Sequence, residues 1–286
     1  MEIDGTMVGD YYDRLDELYE QTGGDHIHHG YWDPDRPDVN RVSAAHTLVE
    51  RVVTVGGVPA GGRVLDAGCG VGGTAVFLAD RLDCAVDGIT ISARQIERAE
   101  RKAADAGVGD RTRFRLVDAE NTDYPDGTFD AVVALESCEA MPDKRRFLAE
   151  CHRVLRPGGR LVVATWCRAR TDLGVDDENL LAKVRQDFYL ADVLPLPDYA
   201  RICADVGFAD VWSEDWTENV RRTWSVADPA NNRDNPGYLA KLVRSGGLDF
   251  VRFAESWRRM KQCYDRDVIR YGVFGGIHAE RGETRG

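Results

Sequence analysis

RVLDAGCGVGGT (Arg63–Thr74) is a short apolar run that ends in an acid and then places four glycines, Gly68, Gly70, Gly72 and Gly73, ahead of the helix-like TAVFLADRL (Thr74–Leu82). A strand that feeds a helix through a glycine-rich turn is the opening of a doubly wound α/β sheet, and the missing Cβ atoms let backbone approach a ligand closely. The turn therefore predicts a nucleotide-like ligand. Gly68, Gly70 and Gly73 also satisfy the dinucleotide pattern G-x-G-x-x-G, with Asp87 near the acidic distance beyond it. Asp66 separates the two possibilities. A carboxylate there repels a pyrophosphate, whereas it suits a ligand carrying an ammonium group through charge-assisted hydrogen bonding. The alternative role for Asp66, bracing the turn, stays open.

Outward from this turn, short β-branched runs alternate with helical stretches as far as Thr165, the pattern of a parallel sheet covered on both faces. AVDGIT (Ala85–Thr90) reads as strand two, and a helix opens near Ser92 and stops at Gly107. TRFRLVDA (Thr112–Ala119) reads as strand three and FDAVVALES (Phe129–Ser137) as a buried strand four. A helix over Asp143–Leu155 is expected to end at RPGG (Arg156–Gly159), with RLVVATWC as strand five. A helix over Pro197–Gly207, a strand over Phe208–Trp216 and a last strand including Tyr271–Ile277 follow. The expected division is an N-terminal helical cover (1–55), a ligand-binding core (56–167), a cap insertion (168–196), a core continuation (197–217), a second cap insertion (218–266) and a last strand with tail (267–286).

The chain has 286 residues, and its 37 Lys and Arg against 49 Asp and Glu give a net charge of −12, which repels a phosphate backbone. Nucleic acid is not expected as a substrate. The acidic N-terminus and the absence of a long apolar run predict a cytoplasmic protein with no membrane span. Seven scattered cysteines include no C-x-x-C pair and read as free thiols. His26, His28 and His29 lack a second ligand cluster, so no metal is expected. A homo-oligomer is allowed by the composition.

These motifs resemble the class I S-adenosylmethionine-dependent methyltransferases: VLDAGCGVGG is similar to the family's first motif, and LRPGGRLVVAT to its approach to strand five. The resemblance implies a seven-stranded, mostly parallel Rossmann-like sheet with a helical cap, and S-adenosylmethionine as donor. GITISARQIERA and HIHHGYWDP resemble the subgroup that contains tocopherol C-methyltransferases, rebeccamycin-type sugar O-methyltransferases and cyclopropane fatty acid synthases. By that resemblance Asp66, Gly68, Gly70 and Gly72 hold the amino-acid end of the donor, and Thr90 and Gln95 approach its ribose and methionine parts. Asp118 and Ala119 meet the adenine, Leu135 borders the methyl end, and Tyr12 closes over it. Thr90 stands where the wider class often has an acid for the ribose, which weakens any such role for Asp87.

Glu136, at the end of the buried fourth strand, is the first candidate base, with Glu139 as the neighbour to compare; relatives carrying E-S-x-x-H-M have a histidine where this chain has Ala140. His29 is the second candidate, lining the acceptor pocket or acting as base. Aromatic residues of the cap, among them Phe188, Tyr199, Trp216, Trp224, Tyr238 and Trp257, suit a bulky apolar acceptor of secondary metabolism. The expected reaction is C- or O-methylation of a small molecule. The competing expectations are a methyltransferase fold used for cyclisation or as a binding module, and an NAD-linked oxidoreductase.

Overall fold

The computed structural model describes residues 28–36, 38–226 and 255–279. Seven strands form one sheet in the order β3-β2-β1-β4-β5-β7-β6, with β7 antiparallel to both neighbours and the first five strands parallel. The strands are β1 (Arg63–Ala67), β2 (Ala85–Thr90), β3 (Thr112–Leu116), β4 (Phe129–Leu135), β5 (Leu155–Arg168), β6 (Phe208–Asp215) and β7 (Ile269–His278). This is the doubly wound, mostly parallel seven-stranded sheet expected from the sequence. Its chain order reverses between β1 and β4. Helices on either side of that point cover opposite faces, which leaves a crevice at the strands' carboxyl ends.

Helices α1 (Arg41–Val55), α2 (Gly73–Arg81), α3 (Ala93–Asp105), α4 (Lys144–Val154), α5 (Val175–Asp187), α6 (Leu196–Asp205), α7 (Thr217–Val220) and α8 (Thr223–Val226) surround the sheet, and a ninth runs over residues 255–265. Local signals set their ends. Ser92 caps α3 by accepting from the backbone of Gln95, and Asp143 caps α4 by accepting from Arg146. On α1, Ala44, Ala45, Leu48, Val49, Val52 and Val53 form one buried stripe at helical spacing, capped by Asn40.

Three boundaries differ from expectation for local reasons. β3 stops at Leu116, and Asp118 folds the chain back by accepting from the Glu120 N–H at 2.8 Å. β4 stops at Leu135 because Glu136 has φ +52°, a left-handed conformation that ends extended pairing. Arg156–Gly159 does not separate α4 from a later strand: β5 already pairs at Leu155 with Phe129, and the four residues bulge out before pairing resumes at Arg160 with Ala131.

Two buried clusters fill the two sides of the sheet. One packs α1, α2, α5 and the 255–265 helix, and the other packs α4 and α6. All seven cysteines are free and buried. No helix among the described residues is long and apolar enough to cross a membrane.

Candidate active site

A cavity opens at the carboxyl ends of β1, β2 and β4, lined there by Gly68, Gly70, Ile89, Thr90 and Leu135. The glycine turn follows from backbone geometry: Gly68, Gly70 and Gly72 have φ of +85°, +51° and +81°. Gly68 and Gly72 answer to internal packing as well. A Cβ on Gly68 would lie 2.3 Å from Ser137 Cβ, and one on Gly72 would lie 2.7 Å from Ala99 Cβ. At these two positions protein atoms by themselves already exclude a side chain. Gly72 does not line the cavity, whereas Gly68, Gly70 and Gly73 do.

Asp66 is buried directly behind this turn. The Ala75 backbone N–H bonds its carboxyl, but Oδ2 has no hydrogen-bond partner among the described residues, and burial pushes its pKa up to about 7. A buried, half-satisfied carboxyl suits a cationic ligand group reaching it directly or through water. Asp87 cannot serve in that way, because Arg63 holds it at 3.0 Å and the Tyr124 hydroxyl donates to it at 3.3 Å, away from the cavity lining.

The Thr90 hydroxyl donates to Gln95 Oε1 at 2.6 Å, and both residues line the cavity beside Asp118 and Ala119. With Oδ1 of Asp118 held by its own turn, this strand-end carboxylate and the Ala119 backbone can take the complementary edge of an adenine. Leu135 forms the floor next to Glu136. Tyr12, with Tyr11 and Tyr19, lies outside the described residues, as does Tyr238.

Glu136 and His29 meet. The His29 backbone N–H and the Tyr271 hydroxyl donate to Glu136 Oε1 at 2.8 and 2.9 Å, while His29 Nδ1 and Trp166 Nε1 reach Oε2 at 2.9 and 3.3 Å. All four acceptor directions of the carboxylate are occupied. Burial alone would raise the Glu136 pKa, but His29 and the donors around it outweigh burial and hold it down to about 2. On the other side of the imidazole, Trp224 Nε1 lies 2.7 Å from His29 Nε2 and the Tyr264 hydroxyl 3.0 Å. An indole N–H only donates, so Nε2 accepts and the ring proton on Nδ1 faces Glu136.

Trp166, Phe188, Trp224 and Trp257 wall this end of the cavity with edge-on or tilted ring contacts. Glu139 also lines it and accepts from the Thr165 hydroxyl at 2.7 Å; burial, then the nearby Glu136, push its pKa up to about 8. Buried His28 lines the same wall with its pKa lowered to about 4 by burial, and Arg41 of α1 completes it. The described residues contain no group of three His, Cys, Asp or Glu side chains placed to hold a metal.

A methyltransferase-domain family profile matches residues 65–163. Over 283 residues the chain is 32% identical to the chloroplastic tocopherol O-methyltransferase of Arabidopsis thaliana, covering 93% of this chain and 80% of that protein. The chain belongs to the class I S-adenosylmethionine-dependent methyltransferases. It is also 35% identical over 221 residues to the 27-O-demethylrifamycin SV methyltransferase of Amycolatopsis mediterranei, covering 77% of this chain and 80% of that one. A crystal structure of the [4+2]-cyclase SpnF superposes with a TM-score of 0.81 at 25% identity, covering 96% of this chain and 97% of that one.

In this methyltransferase the cap aromatics divide by location. Phe188, Trp224 and Trp257 line the cavity, but Tyr199 stacks on Phe274 in the core at 5.6 Å and Trp216 packs edge-on against Tyr31. The sequence reading missed Trp166 and Tyr271. Both have a topological signal: β7 runs antiparallel to β5 with Tyr271 opposite Trp166, so the start of β7 arrives at the same mouth as the end of β5.

Proposed function

We propose that this S-adenosylmethionine-dependent methyltransferase methylates an oxygen or a carbon of a bulky, largely apolar small molecule, with His29 Nε2 as the general base and Glu136 as the residue that orients it. The observation that carries the reading is the buried His29–Glu136 pair, walled by indole and phenyl rings in the same cavity as the glycine turn.

Backbone at Gly68 and Gly70 would hold the amino-acid end of the donor, with the buried Asp66 carboxyl behind the turn reaching its ammonium through water. Thr90 and Gln95 would hold its middle, Asp118 and Ala119 its adenine, and Leu135 would border its methyl end. Gly72 shapes the turn from behind. When bound, the donor supplies an electrophilic methyl group on a sulfonium. An acceptor hydroxyl that displaces the Trp224 indole N–H at His29 Nε2 gives up its proton there, and ionised Glu136, bonded to Nδ1, stabilises the imidazolium. For a carbon acceptor the same nitrogen removes the proton left after the new bond forms. The ring wall excludes water and aligns the acceptor, so that positioning supplies much of the rate. The described parts of segments 168–196 and 218–266 would serve as the cap of this chamber, since α5 leads into Phe188 and Leu190, α8 contributes Thr223 and Trp224, and the 255–265 helix contributes Trp257.

Two relatives, named as a tocopherol O-methyltransferase and a 27-O-demethylrifamycin SV methyltransferase, support an oxygen acceptor. The likeness to a [4+2]-cyclase favours one second reading, in which the chamber folds a substrate for cyclisation. Incubation with S-adenosylmethionine labelled in its methyl group and a panel of phenols, polyketide alcohols and isoprenoid alcohols separates the two. Label in an acceptor product is the expected result. Ring closure without label in any product overturns it.

A further inference from the structure

Glu139 has a setting opposite to that of Glu136, three residues away. It follows the left-handed turn at Glu136, inside a 3-10 turn (Cys138–Ala140), and is buried yet lines the ring-walled end of the cavity. Its carboxyl accepts from the Thr165 hydroxyl on Oε2 and is also bonded by its own backbone N–H. Lys144, the first residue of α4, faces the same turn, but its ammonium bonds the backbone oxygens of Glu139 and Met141 and not the carboxyl.

The other titratable groups around Glu139 come from every side: Glu136 at the end of β4, Cys138 on its own turn, Cys167 of β5, Tyr199 of α6, Tyr264 of the 255–265 helix and Tyr271 of β7. Burial pushes the thiols and phenols up, so they are neutral at working pH and Glu136 is the ionised acid. A second negative charge beside it has no cation bonded to it, and the two carboxyls are driven apart in protonation state.

We propose that Glu139, as a neutral carboxylic acid, donates a hydrogen bond from Oε1 to an uncharged oxygen of the acceptor and so selects neutral oxygen-bearing ring compounds over cationic amines. The inference rests on the acceptor occupying the ring-walled chamber, as in the function proposed above. Thr165 bonds Oε2 and Glu139 lines the chamber, so Oε1 is the oxygen assigned to carry the acid proton toward the acceptor. An ammonium-bearing molecule gains nothing from a donor, and the nearby ionised carboxylate, Glu136, already has its acceptor directions filled by protein donors.

The test is direct binding, independent of methyl transfer, with 2-naphthalenemethanol and its cationic counterpart 2-naphthylmethylammonium as probes, in the presence of S-adenosylhomocysteine. For the wild type at pH 7, calorimetry is expected to give tighter binding of the alcohol, weakening several-fold between pH 7 and 9 as the acid ionises. Glu139→Gln, whose amide still donates, is expected to retain alcohol binding and lose the pH dependence; Glu139→Ala is expected to weaken it about 5- to 100-fold at every pH, the loss of one buried hydrogen bond. Equal or tighter binding of the ammonium probe by the wild type overturns the proposal, as does unchanged alcohol binding in Glu139→Ala or a surviving pH dependence in Glu139→Gln. The labelled-methyl experiment reports on the reaction alone, so each reading fails separately.

Discussion

Replacing Glu136 with Gln changes one atom and tests the central arrangement. An amide of the same shape keeps one acceptor oxygen and turns the other into an NH2 donor. If that donor takes the place of Oε2, it faces the His29 Nδ1–H and the Trp166 indole N–H; if it takes the place of Oε1, it faces the His29 backbone N–H and the Tyr271 hydroxyl. Moving the histidine proton to Nε2 does not relieve the conflict, because Nε2 would then confront the Trp224 N–H at 2.7 Å.

The cheaper orientation puts the NH2 at Oε1, where the Tyr271 hydroxyl can turn to accept and only the His29 backbone N–H loses its acceptor, a loss of roughly 1–3 kcal/mol in stability. The titration of the carboxylate reports the same surroundings, since His29 and the donors around it hold its pKa down from 4.5 to about 2. Because the folded pKa is depressed, this stability is present above pH ~4.5 and is lost as pH falls toward 2. Thermal unfolding of Glu136→Gln at pH 7 is therefore expected several degrees below the wild type, with a flatter acid limb. Turnover is expected to fall about 10²–10⁴-fold, the share of a general base whose proton is misplaced, while calorimetric affinity for S-adenosylmethionine changes less than about tenfold. A variant with wild-type turnover would refute the role of the pair, and one with unchanged melting would refute the hydrogen-bond accounting.

Asp66, pushed up to about 7 by burial, must ionise to hold an ammonium group, so donor affinity is expected to rise about tenfold from pH 6 to pH 8, with release of about half a proton at pH 7. Calorimetry in buffers of different ionisation enthalpy measures that proton, and Asp66→Asn should abolish the pH dependence; a flat wild-type profile would contradict the assignment. The raised pKa values of Asp66 and Glu139 stabilise the ligand-free fold at low pH, and that contribution is lost as pH rises from the ordinary carboxylate range of about 4 through about 7 and about 8, so its melting temperature should fall between those limits and recover on adding donor. Gly68→Ala combines a positive φ with a Cβ 2.3 Å from Ser137, and a destabilisation of about 2–4 kcal/mol is expected by chemical denaturation; a change below about 1 kcal/mol would show that the turn relaxes.

The sequence by itself determined the parallel core and the location of its cavity, because period-two and helical patterns, the caps at Ser92 and Asp143 and the glycines of the first turn are local signals written in neighbouring residues. It also placed Thr90, Asp118 and Leu135 at strand ends, where the topology makes the crevice. Tertiary structure alone decided the chemistry of the acidic pair. His29 and Glu136 are 107 positions apart, and Trp166, Trp224, Tyr264 and Tyr271 converge on them from different elements. The protonation state of a carboxyl is set by burial and by which donors surround it, so Glu136 and Glu139, indistinguishable as letters three positions apart, become an ionised anchor and a neutral acid only once the chain has folded.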